Sequence, residues 1–502
     1  MIRNIPDHFG LNCTINTTED CNLRCKYCYE TCKRPKSIDF DKCKKFIDLV
    51  LQEGNFCKIR EDSSIKESVY RGRVFDFIGG DALIDPELLD KIMTYINTKW
   101  VMLEHKPPYG WRASLSSNGT LFYRKDVRDF CEKWKDNLHV GVSIDGCPEI
   151  HDLNRVYPDG SGSMKTILEW WPWFKKTFPT AALTTKATCA KSSIPYLYES
   201  LKWMHEELGL KYINQNFIME DMHLEQSDIN ELDHQLSLCC DYVLDHCDDL
   251  YWAIFDRTNF SKNDPRLFVT QDTDFFNSGA CGSGCMPALG IDGKIYPCFR
   301  WLPHTQNGNI GVMCVGDVDN GFITADNFRC VADGAIRANC TKEQKCRDCE
   351  FEHCCHYCIG GCYAEYGDFI RTTHICEVTK LTSKWTTIYW DRYEQKQHAH
   401  ISEGEPFLYD DPVFGPHAGV IDYNVINHLA SSCYNDFDAS NESVTQMIVA
   451  GLDNSRAMLN PNMLDFNLFN SSEYRKIIYD AVDGLTKNAF LEWELLKNVK
   501  PY

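Results

Sequence analysis

The sequence predicts an α/β protein: a partial (β/α)6 TIM-like barrel, then a cysteine-rich domain, then a helical C-terminal extension. Three observations carry that reading. Short β-branched runs alternate with helix-period segments through the first 219 residues, the pattern of a parallel sheet. The 27 cysteines are bunched in fields, whereas a disulfide framework would spread them. The last hundred or so residues hold an amphipathic segment and do not read as a linker. The divisions expected are 1–219 for the barrel, 220–275 for a helical connector, 276–380 for the cysteine-rich domain and 381–502 for the extension.

The first strand is expected over Leu11 to Thr17, running straight into Cys21. Phe40, Cys43, Phe46, Ile47, Val50 and Leu51 then recur at helical spacing, with Ser37 or Asp39 as a cap. Val74 to Ile78 leads into Gly79-Gly80-Asp81, Ala113 to Ser117 into Asn118-Gly119-Thr120, and Val140 to Ile144 into Asp145-Gly146. Thr184 to Cys189 and Tyr212 to Ile218 complete the set of six, with Leu197 to Leu208 as one of the intervening helices. Parallel barrels carry their sites at the carboxyl ends of the strands, where each of these polar motifs falls. Trp170, Trp171, Trp173, Phe174 and Phe178 surround Pro172, and packing is the preferred reading over a substrate groove.

At 502 residues the chain can bury a large core in two or three domains. A formal charge of -20 argues against non-specific binding to nucleic acid or to an acidic membrane, which rests on neutralising phosphate. The basic run Lys33, Arg34, Lys36, Lys42, Lys44, Lys45 reads as a solvated loop and helix start. No signal peptide precedes Cys21 and no apolar run approaches a membrane span. A cytoplasmic location is expected, where thiols stay reduced and serve metals.

The chemistry is concentrated in Cys21-Asn-Leu-Arg-Cys25-Lys-Tyr-Cys28, thiols spaced x3 then x2. Three thiolates can hold three irons of a cubane cluster and leave the fourth open to a chelating molecule, whereas ferredoxin clusters take four cysteines. A zinc knuckle would need a fourth ligand, which Cys32 or Cys43 could supply. The x3-x2 triplet with Tyr27 before its last cysteine resembles the signature of the radical S-adenosylmethionine (SAM) enzymes. That resemblance implies a 4Fe-4S cluster on Cys21, Cys25 and Cys28, with SAM chelated at the open iron and cleaved to a 5'-deoxyadenosyl radical. Gly79-Gly80-Asp81 resembles the Gly-Gly-Glu motif of the same enzymes, with an acid one methylene shorter. By that likeness Tyr27, Gly79, Gly80, Asp81, Ser117, Asn118, Ser143, Asp145 and Arg155 would bind the cofactor. For His151 and Asp152 a helix start and a functional role are both open.

A second cysteine field runs from Cys281-Gly-Ser-Gly-Cys285 through Tyr296-Pro-Cys298 to Cys376, with Asp292-Gly293 as a hairpin turn signal. It resembles the SPASM domain, which implies two auxiliary 4Fe-4S clusters. Cys281, Cys285 and Cys298 would hold the first, and Cys346, Cys349 and Cys376 the second. The remaining ligands are open: x5 after Cys349 selects Cys355 for the second and leaves Cys358 for the first, the preferred choice, while the Cys-x-Gly-Gly-Cys form selects Cys358 and Cys362. A zinc ribbon is the competing reading of the same thiols.

The shared stretches Cys281 to Met286, Tyr296 to Arg300 and Thr373 to Cys376 resemble the maturases of Cys-x-x-x-repeat targets, over roughly residues 11–395. The likeness implies oxidative modification of a short, cysteine-containing ribosomal peptide, with a thioether crosslink preferred and a carbon-carbon crosslink or epimerisation as alternatives. Sulfatase maturation is the nearest rival, but that group carries an acid directly after Tyr-Pro-Cys, and here the residue is Phe299. A flavodoxin- or ferredoxin-like electron donor is expected. With Cys21 so early, leader binding is expected to use the barrel mouth, the tail or a separate protein. Outside this class stands an iron-sulfur carrier or zinc scaffold that cleaves no SAM. The tail residues Tyr474, Ile477, Ile478, Ala481, Val482 and Leu485 predict an amphipathic helix, a cap or partner-binding element.

Overall fold

The computed structural model describes residues 11–51, 73–103, 111–219, 222–247, 249–264, 286–308, 314–322, 346, 348–351, 354–355, 358–367 and 373–402. Cys281, Cys285 and the tail segment expected to be helical lie outside them.

Strand β1 (Leu11–Thr18) is central. It pairs in parallel with β2 (Arg73–Gly79), which continues in parallel to β3 (Trp111–Ser117) and β4 (Leu138–Val142). Cys13, Ile15, Phe75, Phe77, Ala113, Leu115 and Val140 alternate inward along these strands and are buried. Helices α1 (Phe40–Leu51), α2 (Pro86–Met102) and α3 (Lys125–Trp134) return between them, each burying one apolar stripe. Asp85 caps α2, accepting from Leu88 N at 3.0 Å, and Pro86 opens it. After β4 come a short α4 (Pro148–Asn154) and α5 (Met164–Thr177). The aromatic residues around Pro172 are core: Trp171 and Phe174 are buried, and Phe174 stacks on Phe122 at 5.4 Å.

The remaining expected strands, β5 (Thr184–Cys189) and β6 (Tyr212–Phe217), are also parallel, but they form a separate sheet with a short β7 (Tyr251–Trp252). The break between β4 and β5 has a local cause. Thr185 turns its hydroxyl into the gap, donating to Val142 O at 2.9 Å and accepting from Ile144 N at 3.1 Å, so a side chain takes the place of the backbone ladder. Helices α6 (Leu197–Glu206) and α7 (Gln226–Asp245) cover this second sheet.

The second cysteine field joins the first sheet directly. Strand β8 (Ala288–Leu289) pairs in parallel with the far edge of β1, and turns through Asp292-Gly293, where Gly293 has φ +88, into antiparallel β9 (Lys294–Tyr296). Two further short strands, β10 (Gly316–Asp317) and β11 (Gly321–Phe322), extend that edge. Beyond them, α8 (Ile359–Tyr366) packs Tyr363 on Trp301 at 5.4 Å. The long α9 (Cys376–Ser402) lies along α7, with Trp385 Nε1 donating to Asp233 at 2.7 Å and Trp390 Nε1 to Phe255 O at 2.8 Å. Among the described residues no helix is long and apolar enough to cross a membrane.

Candidate functional site

The loop that leaves β1 carries the three closely spaced cysteines over the carboxyl ends of β1 to β4. Cys21 is buried, while Cys25 and Cys28 are half-buried. Burial pushes the Cys21 thiol up to about 12, with the Asp81 carboxylate adding to the effect, and burial also raises Cys25. Cys25 adds to the rise at Cys21, and Cys28 to the rise at Cys25. A pocket that resists free thiolates needs positive charge to hold them ionised.

The Gly-Gly-Asp turn presses against this loop. A side chain at Gly79 would meet Thr18 O at 1.9 Å, and one at Gly80 would meet Asp20 O at 2.0 Å and Cys21 Cβ at 2.8 Å. The close approach lets Gly80 N donate to Thr18 O at 3.1 Å and Asp81 N to Asp20 O at 2.9 Å. These glycines are therefore required by the chain's own backbone. Asp81 is buried and its carboxylate accepts from Ser117 Oγ at 2.9 Å, Asn118 N at 2.9 Å and Leu83 N at 3.1 Å. Burial raises its pKa despite those donors. The Asn118 amide donates to Asn22 Oδ1 at 2.9 Å and Asn22 donates to Thr120 at 2.7 Å, tying the third strand's exit to the cysteine loop.

Asp145, just beyond β4, is a second centre. Its carboxylate takes both arms of Arg155 at 2.8 and 3.0 Å, Thr188 N at 2.9 Å and the Tyr27 hydroxyl. The Arg155 guanidinium also stands 5.4 Å over the Tyr27 ring. Burial works against the Arg155 charge, but Asp145 outweighs it and holds the guanidinium above its ordinary pKa. So Tyr27 is fastened to Asp145 and Arg155, more than a hundred residues later, beside Cys25. His151 accepts from Asp145 N at 3.3 Å and its Nε2 meets Ser163 Oγ at 3.0 Å, while Asp152 caps α5 through Ser163 N and Met164 N. Both support the loop. The Ser143 hydroxyl makes no hydrogen bond to a described residue, and Ser143 N donates to Ser117 O at 3.0 Å.

Sequence reasoning missed a buried charged chain behind the cysteines. Lys33, expected in a solvated basic run, has a side chain only 9% exposed and lies 3.3 Å from Glu30. Burial opposes its charge, but Cys28, Glu30 and Cys21 together raise its pKa above the ordinary value. Glu30 is in turn 3.5 Å from His304 Nε2, longer than a good hydrogen bond, and His304 reaches Asn16 and Glu19 on its other side. Arg34 closes the chain at the surface on Glu19 at 2.7 Å. Glu30 lies two residues past Cys28 and was findable; nothing in the sequence announced His304.

In the second field, Cys376 opens α9 and its thiol is raised first by burial and then by Cys355, Cys346 and Cys349. These are the residues that the x5 spacing groups with Cys376. Cys358 caps α8, accepting from Gly361 N at 3.4 Å. Gly360 lies so close to Arg300 that a Cβ would meet Arg300 O at 2.8 Å, so Cys358 is held near the Cys298 segment. Cys362 is buried within α8. Arg300 stands 4.3 Å over the Tyr29 ring, linking this segment back to the first cysteine loop.

A tetrahedral zinc with Zn–S near 2.3 Å would hold thiolates about 3.8 Å apart. Among the described residues the groups of three or more ligand side chains with atoms within 4.8 Å of one another are His205, His246, Asp249 and His223, Glu365, His374.

No protein-family model matches the chain. The chain is 30% identical over 191 residues to an uncharacterized protein of Methanocaldococcus jannaschii, covering 38% of this chain and 57% of that protein. It is 25% identical over 262 residues to the cysteine-type anaerobic sulfatase-maturating enzyme of Clostridium perfringens, covering 50% of this chain and 64% of the enzyme. The chain thus spans less than two thirds of either relative. In structure it is similar to anSMEcpe, an anaerobic sulfatase-maturating enzyme solved with AdoMet and the Kp18Cys peptide, with TM-score 0.55, 16% identity, and 77% of this chain and 99% of that chain covered. The fold is therefore the one used by radical SAM/SPASM maturases. Within that class the sequence relatives with an assigned activity are sulfatase-maturating enzymes.

Proposed function

We propose that this chain is a radical SAM maturase of a ribosomally made, cysteine-containing peptide, its two parallel sheets being the halves of a partial (β/α)6 barrel. The observation that carries the proposal is the seating of the Cys21–Cys28 loop directly on Gly79-Gly80-Asp81, at the carboxyl ends of parallel strands. Cys21, Cys25 and Cys28 would hold the SAM-binding 4Fe-4S cluster. Cys346, Cys349, Cys355 and Cys376 would hold one auxiliary cluster; Cys298 and Cys358, with Cys281 and Cys285, would hold the other. The bound groups would supply the hydrogen-abstracting radical and accept the electron left when a substrate C–H and S–H give way to a C–S bond.

This chain's own residues position and shield. Asp81, Ser117 and Asn118 lock the cysteine loop to the strand ends, so they act on SAM through that loop. Tyr27, Asp145 and Arg155 form its opposite wall, and the Ser143 hydroxyl is available to a ligand. Lys33 places a cation beside Cys28. The Arg300–Tyr29 contact ties the auxiliary-cluster segment to the first loop, which supports an electron path between them.

Thioether formation is preferred because the stretches around Cys298 and Cys376 resemble maturases of Cys-x-x-x-repeat targets. Sulfatase maturation is the second reading, favoured by the clostridial relatives. Against it, the position after Cys298 is Phe299, whose ring lies 6.1 Å from Tyr29 and offers no base. A flavodoxin- or ferredoxin-like donor, a separate leader-binding protein and a cytoplasmic setting complete the proposal.

The test is anaerobic co-production with a short cysteine-rich precursor peptide, comparing the intact chain with a Cys21→Ala, Cys25→Ala, Cys28→Ala variant. Loss of two hydrogens and one alkylatable thiol per event, only with the intact triplet, supports thioether formation. SAM cleavage with an unchanged peptide keeps the class and rejects the substrate. Formylglycine on a sulfatase-type peptide favours the second reading.

A further inference from the structure

On the face of the second sheet remote from the cysteine loop, the ends of α6 and α7 bring together three side chains that the peptide-modifying reading does not use. His205 lies in the last turn of α6, His246 caps α7 and Asp249 follows in the turn before β7. A helix that returns between parallel strands ends at their amino-terminal edge, opposite the catalytic face. One ligand atom from each of the three lies within 4.8 Å of the others.

The hydrogen bonds around His205 decide its tautomer. The Glu206 carboxylate only accepts, so the Tyr242 hydroxyl donates to it at 3.3 Å and must accept from His205 Nδ1 at 2.8 Å. With the imidazole proton on Nδ1, Nε2 presents a lone pair to Asp249 Oδ2 at 3.3 Å. Two acceptors facing each other need a cation between them. A proton would serve that pair alone, but His246 supplies a third donor. Its ring stands 5.0 Å from His205 and 4.4 Å from Tyr242, and it makes no hydrogen bond to a described residue. The Tyr242–Glu206 relay on Nδ1 is the arrangement that orients a metal-bound histidine.

We infer that His205 Nε2, His246 and Asp249 form a site for a divalent transition metal of the zinc class, distinct from the iron-binding cysteines. Two imidazoles and one carboxylate suit zinc, and the Asp249 side chain, 51% exposed, leaves a side open for a water as fourth ligand. The metal clasps the end of α6 to the end of α7 and to the turn entering β7.

The test uses the anaerobically purified full chain, equilibrated with buffered zinc, and reads zinc content and the zinc X-ray absorption edge. One zinc per chain is expected, with only nitrogen and oxygen neighbours at about 2.0–2.1 Å. Absence of bound zinc, or a shell of sulfur near 2.3 Å alone, overturns the assignment. Two variants guard against a folding artefact, each checked by circular dichroism and iron content. Asp249→Asn supplies an amide donor toward Nε2 in place of the carboxylate and removes the charge, and Tyr242→Phe removes only the support of Nδ1. Zinc affinity is expected to fall about 10- to 100-fold in Tyr242→Phe and at least as far in Asp249→Asn. Unchanged zinc affinity in both reduces the cluster to a His205–Asp249 ion pair and ends the proposal.

Discussion

Replacing Gly80 by Ala tests whether the Gly-Gly-Asp turn positions the cysteine loop. Gly80 is not among the glycines with positive φ, so the substitution acts through space and leaves backbone preference aside. The new Cβ would sit 2.0 Å from Asp20 O, and ordinary contact begins near 3.4 Å, so 3.4 − 2.0 = 1.4 Å of movement is required. The obstacle is backbone, and it is held by Asp20 N on Thr18 Oγ1 at 3.0 Å and Cys21 N on Asp20 Oδ1 at 2.9 Å. Overpacking of this kind costs about 1–3 kcal/mol, and loss of the Asp81–Asp20 backbone bond adds about 1 kcal/mol. The functional effect is larger, because a misplacement of about 1 Å at a reacting centre costs on the order of 100-fold in rate. The assay pairs iron content and anaerobic denaturation with the rate of SAM consumption. Gly160→Ala is the control: its φ is +86 but nothing lies within 4 Å of the added Cβ, so it is strained without a clash. If Gly80→Ala keeps full iron, wild-type SAM consumption and wild-type stability, the steric account of the motif is wrong.

Thr185→Val should cost about 1–3 kcal/mol in denaturant unfolding, because it strands Ile144 N and Val142 O where β4 meets β5; a change within error would show the gap closed otherwise. Asp145→Asn should destabilise by about 3–5 kcal/mol by leaving buried Arg155 unpaired, and the Asp145→Asn, Arg155→Met double variant should recover part of that loss; strict additivity would refute the pairing. His151 is held neutral by burial, its pKa lowered from 6.5 to about 3. The unfolded chain then binds the extra proton, so this contribution is complete above about pH 6.5 and is lost as pH falls toward about 3. A His151→Gln variant should show a flatter stability profile across that window, and an unchanged slope would contradict it. After iron removal, alkylation mapped by mass spectrometry should label exposed Cys32 before half-buried Cys25 and Cys28, and buried Cys21 last of these four, since burial lifts the Cys21 thiol to about 12; labelling of Cys21 ahead of Cys32 would contradict it.

Much of this protein was legible in the sequence because its signals are local. The six strands fall where β-branched runs end in polar turns, and α1 appears over Phe40–Leu51 as its spacing implies. Spacing and turn chemistry act over a few residues, so they survive without tertiary knowledge. The cysteine triplet, the Gly-Gly-Asp turn and Asp145 are sequence motifs for the same reason. What they touch could not be read. The glycines are spaced for an approach to Thr18 and Asp20, more than fifty residues earlier, and Tyr27 meets Asp145 across 118 positions. Lys33 looked solvated because a basic run on paper carries no sign of the Cys28, Glu30 and His304 groups that fold around it. Nor did the sequence show that β8 would extend the edge of β1, or that Thr185 would replace a ladder between β4 and β5. By itself the sequence determined which residues form strands and turns and where the thiols cluster along the chain, since those choices rest on local conformation and spacing. Only the tertiary structure decided which charges are buried and which backbones meet, because desolvation and close approach exist only once distant segments pack together.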